Sequence, residues 1–342
     1  MDESTPPQHR RRPRYPGKNP RLFEHKYKEL DPARHPETVA KVLASGKTPA
    51  GSHVPIMVAE ILEVLLPLPG IFAVDCTLGY GGHARAILER IRPGGHLLGL
   101  DIDPLELPRT EERLGADGFG PEQFTAVKSN YAGLPAALAK TGRTGADLIL
   151  ADLGVSSMQL DNPSRGFSTK FDGPLDMRMN PSRGVSAAQW LEKISPDKLA
   201  AVLQENADEP HSQLLGSTLA GQSFATTVDL VTAIESALKR FPKEERELSL
   251  RRVFQAIRIE VNEEFTALDT FLRLLPGCLN PGGRAAILTF HSGEDRRVKK
   301  AFQESHREGV YQEIARRVIR ASPDERRNNP RSTSAKLRWA IR

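Results

Sequence analysis

The chain has 342 residues, of which 39% are hydrophobic and 27% are charged, so it has enough apolar material for a packed core and is not globally disordered. Its apolar runs are shorter than the about 20 residues that cross a bilayer, and its beginning lacks the hydrophobic core of a signal peptide. The two cysteines exclude a disulfide framework and a cysteine-based zinc site. We therefore expect a cytoplasmic protein with no membrane segment and no metal.

The net charge of +5 is concentrated at the two ends of the chain. Residues 1–30 hold eight Lys and Arg against four Asp and Glu, and residues 291–342 hold fourteen against seven. The segment between them is mildly acidic. Basic ends favour a polyanionic partner such as nucleic acid, but two solvated tails would explain the same charges.

The first half of the chain alternates between apolar runs and helical periodicity. After a basic, proline-rich arm over residues 1–45, the spacing predicts a helix over 53–66 and another over 83–91. Short buried strands are expected at 71–74, 96–100, 124–127 and 147–151. This alternation is typical of an α/β fold with a parallel sheet covered on both faces.

The alternation stops after Asp152. We expect residues 160–245 to form an inserted, mostly helical subdomain that recognises the substrate, because a loop-like stretch is followed by helical periodicity. The α/β domain would then comprise residues 46–159 and 246–342. In its second part we predict one long helix over 249–275, a strand over 284–290, a helix over 294–304 and a final strand over 336–341.

A glycine-rich turn follows the first predicted strand, in the run Val74-Asp-Cys-Thr-Leu-Gly-Tyr-Gly-Gly-His83. Glycines allow positive φ and close approach of the backbone to a ligand, although the turn can also need them for steric reasons alone. Asp101 ends the second predicted strand, nineteen residues after Gly82. An acid in that position accepts hydrogen bonds from ribose hydroxyls, which indicates a nucleoside cofactor.

Two cofactor classes compete for this turn. The run from Gly79 to Ala84 satisfies the G-x-G-x-x-A pattern of dinucleotide-binding proteins. Asp75 lies just before the glycines, where it would repel a pyrophosphate but tolerate an ammonium group. We therefore favour S-adenosylmethionine over NAD. Asp152 ends the fourth predicted strand, where a group facing a transferred methyl would lie, but no aromatic follows it as in the Asp-Pro-Pro-Tyr amino-methyltransferases.

Longer motifs give a more specific indication. The chain resembles the MraW family, the ribosomal RNA small subunit methyltransferase H family, over about residues 53–342, and six blocks between residues 152 and 338 match in order. They are Asp152-Leu-Gly-Val-Ser-Ser-Met-Gln-Leu-Asp161, Arg165-Gly-Phe-Ser168, Asp172-Gly-Pro-Leu-Asp-Met-Arg-Met179, Phe254-Gln-Ala-Ile-Arg-Ile-Glu-Val-Asn262, Phe290-His-Ser-Gly-Glu-Asp-Arg296 and Asn329-Pro-Arg-Ser-Thr-Ser-Ala-Lys-Leu-Arg338.

The resemblance implies a class I S-adenosylmethionine-dependent methyltransferase with a Rossmann-like sheet and an inserted helical subdomain. Its implied substrate is the exocyclic N4 of one cytosine in the decoding region of 16S rRNA, in the small ribosomal subunit. The implied cofactor contacts, with Tyr131 as a flat partner for adenine where the family usually has Phe, are Gly81, Gly82, His83, Asp101, Tyr131, Asp152 and Gln159.

Chemistry at N4 requires a group that orients the amino hydrogens and takes up a proton. Asp152 is our first candidate, and Asp176, Arg178 and His291 are candidate substrate contacts. Loop capping explains Asp176 equally well, and a structural hydrogen bond explains His291. Gly293 stands where the family usually has Leu, so we expect a loose turn beside His291.

The competing hypotheses are an NAD-dependent oxidoreductase, a DNA cytosine-N4 methyltransferase and a non-catalytic RNA-binding factor. The oligomeric state is not predicted.

Overall fold

The structure is a computed structural model that describes residues 55–342. The arm predicted over residues 1–45 lies outside the described residues. In the described part, the strands are β1 (Phe72–Asp75), β2 (His96–Asp101), β3 (Phe124–Lys128), β4 (Ala146–Asp152), β5 (Leu279–Thr289), β6 (Glu313–Ile314) and β7 (Lys336–Ile341). Together they form one sheet in the order β3-β2-β1-β4-β5-β7-β6.

The first five strands are parallel, and β7 runs antiparallel to both β5 and β6. The helices that connect or cover them are α1 (Val58–Leu65), α2 (Gly82–Ile91), α3 (Glu106–Ala116), α4 (Leu134–Lys140), α5 (Ser157–Asp161), α6 (Ala187–Lys193), α7 (Pro196–Ala207), α8 (Ser212–Leu219), α9 (Thr227–Ala237), α10 (Lys243–Val261), α11 (Glu264–Leu274), α12 (Ser292–Arg307) and α13 (Pro323–Asn328). The predicted Rossmann-like parallel sheet is therefore confirmed.

Two apolar layers lie on opposite faces of this sheet because successive side chains of a strand point to opposite sides. Ile149 belongs to the layer under α4, α11 and α12, whereas its neighbours Leu148 and Leu150 belong to the layer under α1 and α2. Leu150 is fully buried. Truncating such a side chain to Ala costs about 2–5 kcal/mol of stability.

A third apolar cluster is formed by residues between Phe167 and Ile257. It includes buried side chains of α6 to α10, and two of these helices begin with a capping box, at Ser186 and at Thr226. A hydroxyl at that position accepts from the third amide of the helix, which otherwise has no intrahelical partner. The boundaries 160–245 of the inserted subdomain stay a prediction.

The single helix predicted over 249–275 is wrong. The chain breaks there between α10 and α11, where Glu263 has a φ of +51°. Beside the break, Asn262 donates to the carbonyl of Met177 at 2.7 Å and accepts from the amide of Met179 at 2.7 Å. The break therefore lies next to Asn262, which holds the loop that contains two candidate substrate residues.

The predicted strand over 284–290 begins earlier than expected. Leu279 already pairs with Ala146, and after a register shift Arg284 pairs with Leu148. Residues 280–283, which precede the predicted strand, are accommodated within β5 as an irregularity opposite β4. The short strand β6 and helix α13 have no counterpart in the sequence prediction.

Candidate active site

The strands β1, β2 and β4 end in acids that meet at one edge of the sheet. Parallel strands bring their carboxyl ends to the same edge, and Asp75, Asp101 and Asp152 are the last residues of these three strands. Asp75 pairs directly with Leu150 of β4 and with Gly99 of β2. The sequence prediction that these acids share a site is therefore consistent with the sheet register.

The glycine turn after β1 is tied to the end of β2 by Asp101. Gly79 donates its amide to Asp101 Oδ2 at 2.7 Å, and the Asp103 amide donates to Asp101 Oδ1 at 2.8 Å. Each oxygen keeps a second lone pair, so the half-buried carboxylate can still accept from ribose hydroxyls. Burial raises the pKa of Asp101, and the two amide hydrogen bonds oppose that rise.

Gly81 and Gly82 begin α2 under tight steric constraints. Gly81 has a φ of +86°, and a Cβ built there would lie 2.8 Å from Cγ2 of Thr110. A Cβ at Gly82 would lie 2.9 Å from Cγ of Pro55. Both positions therefore require glycine for packing. Whether their backbone also contacts the cofactor stays a prediction.

Asp152 stands at the centre of the edge with one oxygen that has no partner. Its amide donates to Oγ1 of Thr77 at 2.6 Å, which fixes the backbone against the glycine turn. The side chain is 27% exposed, but Oδ1 is buried and accepts no hydrogen bond from the described residues. Burial, with the nearby Glu294 carboxylate, raises the pKa of Asp152 to about 7.

His83 lies between Asp152 and the segment before α1. Its Nε2 donates to the carbonyl of Ile56 at 2.9 Å, which leaves Nδ1 facing Oδ2 of Asp152 at 3.6 Å. Burial lowers the pKa of His83, although Asp75 favours the charged form. The imidazole is thus neutral at pH 7 and supplies no positive charge to the acids.

Asp75 adds a second buried acid to this edge. It is 1% exposed, and its Oδ1 accepts from the amide of Thr77 at 3.0 Å. Burial raises the pKa of Asp75 to about 6, and the hydrogen bond from the Thr77 amide opposes that rise. Two carboxyls with raised pKa values near a neutral His83 form a pocket that favours a cationic ligand.

Gln159 is nearly buried and makes contacts within the protein. Its Oε1 accepts from the Ser156 amide at 3.0 Å in a capping box, and its Nε2 donates to Oδ2 of Asp103 at 2.9 Å. Tyr131 is also held: its hydroxyl donates to the carbonyl of Glu264 at 3.2 Å, and its ring packs edge-on against Phe271. Direct contacts of Gln159 and Tyr131 with the cofactor stay predictions.

Asp176 and Arg178 form a pair with each other. Nε and Nη2 of Arg178 each donate to a different carboxylate oxygen of Asp176 at 2.7 Å. Although burial raises the pKa of Asp176, these hydrogen bonds hold it below the usual value. At pH 7 Asp176 is therefore ionised, and its lowered pKa makes it a weaker proton acceptor than Asp152. A role of Asp176 in capping the loop does not exclude a contact with the substrate.

His291 is more constrained than Gly293 led us to expect. It caps α12 in a capping box with Glu294, and Nε2 lies 3.2 Å from Oε1 of that carboxylate. The loose turn expected at Gly293 is wrong, because a Cβ there would lie 2.7 Å from the ring of Phe265, which packs against His291. Glycine allows this ring to close the turn.

Asp103, Arg165 and Glu294 also contact the candidate site residues, although no sequence pattern singled them out. Arg165 donates to Oδ2 of Asp103 at 2.7 Å and to the carbonyls of Arg178 and Met179 at 3.1 and 2.8 Å. Arg165 and Glu294 are charged residues within the quoted blocks, and Asp103 follows Asp101 by two residues. A charged side chain inside or beside a conspicuous motif was therefore the only sequence feature that could have indicated them.

In residues 55–342 no three His, Cys, Asp or Glu side chains are grouped to hold a metal ion, and no helix has the length and apolar character to cross a membrane.

Comparison with known proteins adds the family. The sequence model of the MraW methylase family matches residues 50–342. A protein of Alkaliphilus metalliredigens named ribosomal RNA small subunit methyltransferase H 2 is 50% identical in an alignment 341 positions long that covers 97% of each chain. A protein of Agathobacter rectalis named ribosomal RNA small subunit methyltransferase H 1 is 47% identical in an alignment 344 positions long that covers 98% of each chain.

Proposed function

The chain belongs to the MraW methylase family, whose activity is S-adenosylmethionine-dependent methylation, and from this premise we propose that it methylates N4 of a cytosine in the decoding region of 16S rRNA. The relatives named as small-subunit rRNA methyltransferases support the RNA substrate. The structural observation that carries the proposal is the buried, unpartnered Oδ1 of Asp152 at the acidic edge of the sheet. Its family and its sheet topology make the chain a class I methyltransferase.

The residues at this edge fit S-adenosylmethionine by charge. The cofactor carries an ammonium and a sulfonium cation, and the edge offers Asp75 and Asp152 beside a neutral His83. A pyrophosphate would meet these acids with like charge, which argues against a dinucleotide. When bound, the cofactor supplies a methyl group that is already electrophilic.

We assign the cofactor contacts as follows. Asp101 would hold the ribose hydroxyls, since both of its oxygens keep a free lone pair. Gly81 and Gly82 would let the backbone approach the ligand, with His83 at the start of the same helix. Tyr131 would lie against the adenine. Gln159 would act through Asp103, whose amide in turn donates to Asp101.

Asp152 would orient the amino group of cytosine and accept its proton. A general base works best with a pKa near the working pH, and the pKa of Asp152 is about 7. Its buried Oδ1 is available as an acceptor for an N–H donor. Nδ1 of His83, 3.6 Å behind Oδ2, offers a second acceptor for the proton. The main contribution of the protein is to hold N4 in line with the methyl group.

The target base must leave its stack to reach this edge. Asp176, Arg178 and His291 are the proposed contacts of the RNA around the base. Arg178 is the strongest of them, because its guanidinium is partly exposed and carries donors in addition to those bound by Asp176. Assembled small ribosomal subunits are the proposed partner, and this substrate would place the enzyme in the cytoplasm.

Transfer of a labelled methyl group tests the proposal. The chain is incubated with labelled S-adenosylmethionine and, separately, with assembled small subunits, deproteinised 16S rRNA and duplex DNA. We expect label on cytosine N4 in the ribosomal RNA. Label on duplex DNA alone would favour the DNA methyltransferase, and cofactor binding without transfer to any of the three would favour a binding factor. Asp152→Asn is the control that should bind cofactor more weakly and, even at saturating cofactor, transfer poorly.

A further inference from the structure

A row of exposed arginines follows the outer edge of the sheet. Residues 315–331 contain six arginines and two acids. Arg327 pairs with Asp324, and Arg331 donates to Asp161 at 2.7 Å. The other four are exposed and form no ion pair with the described residues. We call them the arginine row, and they are Arg316, Arg317, Arg320 and Arg326.

The strand register places one end of this row level with the reacting edge. Ile319 forms a bridge to Leu337 of β7, Leu337 pairs with Leu288 of β5, and Leu288 pairs with Asp152. Three strand spacings of about 4.8 Å put Ile319 about 14 Å from Asp152 across the sheet. Arg320 is the next residue along the chain.

Arg326, the last member of the arginine row, lies near the part of the site that would hold the cofactor. Glu325 of α13 accepts from the amide of Met57 at 2.7 Å, and His83 donates to the carbonyl of the preceding Ile56. Arg326 follows Glu325 and is exposed. The row therefore runs from the side of the sheet to the segment that supports the glycine turn.

Resting on the proposed function, we propose that the arginine row binds the phosphate backbone of the RNA that flanks the target cytosine. Guanidinium groups donate in a planar fork that matches phosphate oxygens, and unpaired arginines need no partner to be displaced first. Arg316 and Arg317 closely follow the edge strand β6, where charge also deters aggregation, and this offers a second role for them. That role leaves Arg326 unexplained, since it lies on a helix outside the sheet.

The salt dependence of binding to the RNA distinguishes phosphate binding from protection against aggregation. The double variant Arg317→Ala with Arg320→Ala is compared with the wild-type chain and with a control, Arg90→Ala with Lys140→Ala. The control loses the same charge from two exposed positions in the last turns of α2 and α4, which the parallel topology places at the opposite edge of the sheet. The measurement is the affinity for assembled small subunits across a series of salt concentrations.

We expect the slope of log affinity against log salt to fall by about 1.5 in the row variant, at about 0.7–0.9 per phosphate contact, and to stay unchanged in the control. Contacts remote from the methyl group also predict a raised KM for subunits with an unchanged kcat. A wild-type slope in the row variant would overturn the inference, as would binding by the wild-type chain that does not depend on salt. Salt-dependent binding without any methyl transfer would instead overturn the proposed function alone.

Discussion

Arg165 and Asp103 form a buried ion pair that joins the end of β2 to the loop holding Asp176 and Arg178. Nη1 of Arg165 lies 2.7 Å from Oδ2 of Asp103, and the two side chains are 9% and 1% exposed. The same arginine binds the carbonyls of Arg178 and Met179. Asp103 also donates its amide to Asp101, so one chain of contacts links the proposed ribose site to the proposed substrate loop.

Breaking the Arg165–Asp103 pair should uncouple the proposed ribose site from the proposed substrate loop and destabilise the fold. We expect Arg165→Met to lower the free energy of unfolding by about 3–5 kcal/mol, because it leaves Asp103 buried without its cation. Urea unfolding measures this loss. The double variant Arg165→Met with Asp103→Asn should recover part of it, since the uncompensated charge is gone. Equal losses in the single and double variants would show that the pair contributes only through packing.

The proposed ribose contact predicts a loss of cofactor affinity in Asp101→Ala. We expect a weakening of about 1–3 kcal/mol, the range for hydrogen bonds to a charged group. Because Asp101 also binds the Gly79 amide, Asp101→Asn is the matched variant that keeps an acceptor for that amide. Calorimetry on both folded variants separates the two effects. Unchanged affinity in Asp101→Ala would remove Asp101 from the cofactor site.

The glycine turn predicts that Gly81→Val abolishes cofactor binding. The φ of +86° disfavours valine, and its Cβ would press on Thr110 at 2.8 Å. The control is Gly142→Val, where φ is +71° but nothing lies within 4 Å of an added Cβ. Both variants carry the backbone strain, whereas the steric clash is present at Gly81 alone. Normal binding by Gly81→Val would make the turn purely structural.

The raised pKa values of Asp75 and Asp152 predict that cofactor affinity rises with pH. Both carboxyls are protonated at pH 5.5 and increasingly ionised toward pH 7.5, since their pKa values are about 6 and about 7. A cation binds the ionised forms better, so affinity should rise by up to about tenfold per pH unit for each proton released. The sulfonium of the cofactor stays charged throughout this range, and its amino group, which titrates near about 7.7, loses charge only toward the upper end, where the rise should level off. Calorimetry from pH 5.5 to 7.5 checks this, and a flat profile would contradict it.

The same two carboxyls link stability to pH in the opposite direction. A carboxyl whose pKa is raised in the folded state favours folding when protonated, and this contribution is lost as pH rises through about 6 to about 7. The increase in Tm produced by the cofactor should therefore be larger at pH 7.5 than at pH 5.5. Asp152→Asn should reduce this difference.

The sheet was predictable because its strands are short, buried and bounded by turn residues. Each of the first four predicted strands lies within one residue of the observed one, as β1 at Phe72–Asp75 and β4 at Ala146–Asp152 illustrate, whereas β5 begins five residues before its predicted start. Local patterns carry this information. The acids at the strand ends were found for the same reason, since the parallel topology brings all three to one edge.

Contacts between distant segments could not be predicted from local patterns. The break between α10 and α11 depends on Asn262, whose partners lie 83 and 85 residues earlier. The periodicity of the two helices continues across that break and conceals it. The pairing of Asp103 with Arg165, 62 residues apart, was equally invisible.

The basic residues near the end of the chain also show that a local sequence pattern does not reveal contacts with distant residues. The sequence presents Arg326, Arg327 and Arg331 as one cluster, but in the structure Arg331 binds the buried Asp161 and Arg327 binds Asp324. We expect Arg331→Ala to lower thermal stability. Arg326→Ala, by contrast, should leave stability unchanged and weaken RNA binding. The reverse pattern, read from melting curves and salt titrations, would contradict the assignment of Arg326 to the arginine row.

Mapping modified nucleotides in 16S rRNA is the most direct test of the central claim. Ribosomal RNA from cells with and without this protein, and from cells carrying Asp152→Asn, is digested and analysed by mass spectrometry. We expect N4-methylation of a single cytosine in the decoding region, and we expect it to disappear in both the deletion and the variant. An identical methylation pattern in all three samples would contradict it.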